Sequence, residues 1–64
     1  MKARLSKHFK LGNSVFETYI YLGYVIKYTS FIGWLVYDNK DCVAMVDDLS
    51  SAESFIDQTF GLTL

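Results

Sequence analysis

Residues 34–60, WLVYDNKDCVAMVDDLSSAESFIDQTF, switch hydrophobic period once along their length, and that switch sets the fold. Trp34–Tyr37 and Cys42–Val46 are apolar runs of the β-branched and aromatic kind that suits a pleated surface. The polar Asp38-Asn39-Lys40-Asp41 between them reads as a four-residue hairpin loop, so the two runs pair antiparallel. From residue 49 the period lengthens: Leu49, Ala52, Phe55, Ile56, Thr59 and Phe60 recur at helical spacing and line one stripe. Two caps compete for the helix start. Either Asp48 caps a helix beginning at Leu49, or Ser50 and Glu53 form a capping box, each side chain satisfying a free backbone N–H beside the other. Gly61 stands where a glycine commonly ends a helix, which predicts a helix over about 49–60.

Towards the N-terminus, Val15–Thr29 (VFETYIYLGYVIKYT) is a longer β-branched and aromatic run, interrupted at Gly23 by a bulge or a tight bend. Ser30–Gly33 is a short connection. Residues 1–12, MKARLSKHFKLG, fit a short helix closed by Gly12-Asn13, an edge strand or a frayed tail. The expected architecture is α+β: a three-stranded antiparallel sheet, with room for a fourth N-terminal strand or short helix, packed against one C-terminal helix. Residues 1–13 form a basic N-terminal segment, and residues 14–64 a single β-β-β-α domain.

A chain of 64 residues makes one thin domain, since at this size only about 60% of the unfolded chain's surface becomes buried. Small domains often add disulfides, a metal or a partner chain. Cys42 is the only cysteine, so an internal disulfide is excluded, and one Cys with one His (His8) does not make a closed zinc site. Good packing and self-association remain, and a composition 52% hydrophobic and 17% aromatic supports both. The lone thiol and the lack of a secretory signal pattern point to a reducing, cytoplasmic setting, with Cys42 as an inert packing thiol. Net charge is −1 but uneven: four of the six basic residues, Lys2, Arg4, Lys7 and Lys10, fall in the first ten positions. Asp38, Asp41, Asp47, Asp48, Glu53 and Asp57 gather in the second half.

Residues 18–37 contain one charge and are long enough to cross a bilayer. Lys27 would then lie near the midplane at a cost of about 2.5–3.5 kcal/mol. The tyrosines are also scattered, and a polar loop and a capped helix follow. A single-span membrane peptide is therefore disfavoured.

Side chains alternate across a strand. One set reads Tyr24, Ile26 and Tyr28, then Trp34 and Val36, then Ala44 and Val46, and should meet Leu49, Phe55 and Ile56 of the helix. The other reads Val25, Lys27 and Thr29, then Leu35 and Tyr37, then Val43 and Met45. A solvated face of an antiparallel sheet should be polar; this one is largely apolar. The N-terminal segment folding back through Leu5 and Phe9, a second copy of the chain, or a foreign partner would cover it.

The chemistry-bearing residues form no catalytic constellation. The nucleophile–base pairs on offer join Cys42 or a serine to His8, which lies in the basic N-terminal stretch, so no enzyme activity is expected. Asp47, Asp48, Glu53 and Asp57 lack calcium-loop spacing and read as acids near a helix start. The glycines are isolated, so there is no phosphate loop and no cofactor is expected. Trp34 and the five tyrosines have the rings to stack single-stranded bases, but nucleic acid binding rests on phosphate neutralisation and the second face offers Lys27 alone.

Taken together, Tyr21-Leu22-Gly23-Tyr24-Val25-Ile26, then Gly33-Trp34-x-Val36-x-Asp38, then Asp48-Leu49-x-x-Ala52-x-x-Phe55-Ile56-Asp57, resemble the three-stranded sheet and helix of AP2-type and phage-integrase arm-binding DNA domains. The ending is also similar to that of many small uncharacterised phage and prophage proteins. The resemblance implies a β-β-β-α order and a mobile-element origin, hence a host-cell cytoplasm. Its DNA readout would need Arg and Lys on the open sheet face, where this chain has Val25, Leu35, Tyr37, Val43 and Met45. The expected function is a non-enzymatic protein-interaction module, binding itself as a homodimer or a host protein through Val25, Lys27, Leu35, Tyr37, Val43 and Met45, with no small-molecule substrate. The alternative is nucleic acid binding through a flexible basic arm of Lys2, Arg4, Lys7 and Lys10.

Overall fold

The structure, a computed structural model, describes residues 3–63. Five strands, β1 (Arg4–Leu11), β2 (Ser14–Tyr21), β3 (Tyr24–Thr29), β4 (Gly33–Asp38) and β5 (Asp41–Val46), are followed by one helix, α1 (Leu49–Thr63). The strands lie in chain order in a single antiparallel sheet, and α1 packs over β3, β4 and β5. The α+β class and the C-terminal helix agree with the sequence; the sheet has five strands where three, or four, were expected.

Two local features account for the difference. The run 15–29 is two strands, because Leu22 and Gly23 both take positive φ (51° and 84°) and turn the chain back in two residues. That is the backbone a tight hairpin needs to match strand twist. From Arg4 on, the basic N-terminal stretch is the edge strand, not a helix or a tail: Arg4–Leu11 pairs with residues 14–20 of β2, and Gly12 (φ 63°) opens the turn between them. The β4–β5 loop is also tighter than expected. Asp38 and Asp41 are paired strand residues, leaving Asn39-Lys40 as the turn, with Asn39 at φ 64°. Between β3 and β4, Ser30 ties the loop to β2: Val15 N–H donates to Ser30 Oγ (3.0 Å) and Ser30 N–H to the Val15 carbonyl (3.1 Å).

The core lies between sheet and helix. Ile26, Val36, Ala52 and Ile56 are wholly buried, with Tyr21 and Leu49 beside them and Tyr24, Trp34, Ala44, Val46 and Phe55 at the margin. Asp48 is the cap, its Oδ1 accepting the Ser51 N–H at 2.7 Å. The competing capping box does not form; Glu53 reaches instead to the residue before β1, where its Oε2 accepts the Ala3 N–H at 2.6 Å. Gly61, expected as the stop, lies within the helix. Residues 18–37 belong to β2, β3, β4 and their connections, and no helix among the described residues is long and apolar enough to cross a membrane.

Candidate functional site: the uncovered sheet face

Cross-strand pairs point to the same side of a sheet, so the register gives the composition of the face turned away from α1. Three rows run across it. The first is Phe9, Phe16, Thr29 and Gly33. The second is Lys7, Thr18, Lys27, Leu35 and Met45, and the third is Arg4, Ile20, Val25, Tyr37 and Cys42. Val43 is the extra residue of a bulge, so it and Cys42 both stand opposite Tyr37. The six candidate contact residues Val25, Lys27, Leu35, Tyr37, Val43 and Met45 thus share one surface. Met45 is 71% exposed and Val43 43%, while Val25, Leu35 and Tyr37 are half-buried by their sheet neighbours.

Nothing among the described residues lies over this face. The N-terminal segment, one of the covers considered, extends the sheet sideways as β1 and does not fold back across it. Its Leu5 pairs with Tyr19 on the helix side. Lys27 leans over Tyr37, its Nζ 5.0 Å from the ring centre, a cation–π contact that keeps the ammonium in water and its stem on the apolar surface.

The N-terminal strand β1 changes the electrostatics. Lys27 is not the lone cation of this face: Arg4 and Lys7 project from β1 on the same side. Lys10 pairs with Val15 and points to the opposite side; Lys2 lies outside the described residues. The strand carboxylates Glu17, Asp38 and Asp41 all fall on the helix side by register.

The rings are also redistributed. Tyr19, Tyr28 and Trp34 lie on the helix side, where Trp34 contacts both tyrosines at 5.7 and 4.6 Å between centroids. Beside them Tyr19 donates to Glu17 Oε1 (3.0 Å), and His8 Nε2 lies 3.7 Å from Glu17 Oε2. Burial first, and the Glu17 carboxylate second, push the Tyr19 phenol up. On the open face the rings are Tyr37, Phe9 (which the sequence offered only as part of a cover) and two phenylalanines, Phe16 and Phe31, that the sequence did not single out. Phe9 and Phe16 stack at 4.8 Å, and the loop residue Phe31 meets Phe16 edge-on at 5.9 Å. Cys42, expected to pack inside, is exposed. No closed pocket and no gathering of His, Cys, Asp and Glu that would hold a metal occurs among the described residues.

Comparison of the chain with protein-family models, with curated proteins and with solved structures finds no match.

Proposed function

We propose that this chain is a non-enzymatic interaction module whose contact surface is the uncovered face of its sheet, with Val25, Lys27, Leu35, Tyr37, Val43 and Met45 in the contact. One observation carries the reading: the face bears a contiguous apolar surface with no element over it, the arrangement that marks interaction sites on small proteins. The edges favour the face over strand addition. β1 is interrupted by a bulge at Ser6 and carries Lys7 and Lys10, and β5 is interrupted at Val43. Bulges and edge lysines both discourage a further strand.

A second reading, nucleic acid binding, gains from one specific feature. Arg4 and Lys7 of the basic segment are not on a separate arm but on an edge of this same face, so the apolar and cationic surfaces are continuous.

The test is titration of isotopically labelled protein with three probes: the unlabelled chain itself, an oligo(dT), and polyglutamate. At least one should shift the amides of residues 25–29, 35–37 and 43–45, and Leu35→Asp should abolish the effect while the protein stays folded. Shifts confined to the outer side of α1, or none with any probe, would contradict the reading.

A further inference from the structure

We infer that the occupant of the uncovered face is a single-stranded nucleic acid, its phosphates held by Arg4, Lys7 and Lys27 and its bases by Phe9, Phe16 and Phe31. This rests on the reading of that face as a contact surface and supplies the partner's chemistry.

Charge is the first argument. Every charged strand residue on this side is a cation, and the strand carboxylates are on the other. Position is the second. Lys27 sits in the middle row of the third strand of five, at the centre of the face. A second copy applied by a two-fold axis through that centre would bring Lys27 against Lys27, burying two like charges together. A polyanion meets the same lysine with opposite charge. Lys7 and Lys27 are two strand spacings apart, roughly 9.6 Å, with the Thr18 hydroxyl between them.

The rings choose among polyanions. Phe9 and Phe31 are 53% and 67% exposed and flank Phe16 in one cluster beside the basic row. Apolar rings give an acidic protein surface nothing specific to recognise, whereas unpaired bases stack on them with little regard to sequence. Paired bases are stacked inside a duplex and offer these rings no free face, whereas the bases of a single strand do. A single strand fits better than a duplex.

Fluorescence anisotropy with a labelled oligo(dT) of about ten nucleotides, within the footprint of a single-strand-binding fold, tests the inference. Affinity should fall about 20-fold between about 50 and about 200 mM salt if three phosphates are neutralised. Lys27→Gln should reduce the log–log salt slope by about 0.7, and Phe31→Ala should weaken binding at least about fivefold. Lys40→Gln, at the β4–β5 turn, should change neither. No binding at low salt, binding indifferent to Phe31→Ala and Lys27→Gln, or equal affinity for a duplex of the same length would overturn the inference. Light scattering on the same samples separates the two levels. A doubled mass that Leu35→Asp abolishes, or a monomer whose face responds to polyglutamate and not to the oligonucleotide, would overturn the nucleic acid and leave the face as a contact surface; a monomer that responds to none of the three probes would count against both.

Discussion

Glu53, on the second turn of α1, accepts the backbone N–H of Ala3 at the entry to β1. The contact is 2.6 Å long, spans fifty residues and ties the residue just before the first strand to the helix. Glu53 is also a buried charged residue. Removing one partner of this half-buried hydrogen bond leaves the other less well satisfied, at about 1 kcal/mol, the low end of the cost for a buried one. Glu53→Ala should therefore lower the unfolding free energy by that amount in denaturant titration. It should also speed amide exchange at the start of β1 more than in β3 or β4.

The two faces of the sheet should respond oppositely to truncation. Ile56 is wholly buried against Ile26 and Val36, so Ile56→Ala should cost about 2–5 kcal/mol, a large part of a small domain's stability. Met45 has nothing over it, and Met45→Ala should stay within about 0.5 kcal/mol. Chemical denaturation of the two variants side by side checks the contrast.

The β2–β3 turn holds a leucine in the left-handed region. Leu22 has φ 51° and an exposed side chain, so its apolar group contributes little there while its Cβ is strained. Leu22→Asn, which recreates the Asn-Gly pair favoured in such turns, should stabilise the protein by about 1 kcal/mol. A lower melting temperature would show that Leu22 is held by contacts of its own.

Asp48 gives the fold an acid-sensitive element. The Ser51 backbone N–H holds its carboxyl below the ordinary aspartate range. A depressed folded pKa stabilises the protein above the unfolded value, and that contribution disappears as pH falls through the folded one. Melting temperature between about pH 6 and about pH 3 should fall more steeply for the wild type than for Asp48→Asn, whose amide oxygen caps without titrating. Asp48→Ala should melt lower than either near neutrality.

How much of this was legible follows from particular residues. The helix was, because Asp48 and the Leu49–Phe60 stripe agree; its end was not, because Gly61 continues the helix without a positive φ. The β4–β5 hairpin was legible from its polar turn. The β2–β3 hairpin was hidden because leucine, not Asn or Asp, precedes Gly23, so 15–29 reads as one strand. A two-residue turn reverses the alternation, which is why Phe16, Thr18 and Ile20 share a side with Val25 and Lys27 and not with Ile26. β1 was hidden for a different reason: all eight of its residues are exposed and a bulge at Ser6 breaks its period, so no pattern marks it. With β1 left open between edge strand, short helix and tail, Arg4 and Lys7 read as a flexible arm and Phe9 as a possible cover, where the register makes them the charged and aromatic edge of this face.

Whether the second side of the sheet stands open in solution is decided most directly by solvent paramagnetic relaxation of side-chain methyl groups. The account predicts that Met45 and Val43 relax about as fast as Leu11 at the β1–β2 hairpin, and far faster than Ile26, Val36 and Ile56. Protection of Met45 and Val43 to the level of Ile56 would mean that something already covers this face, and would contradict it.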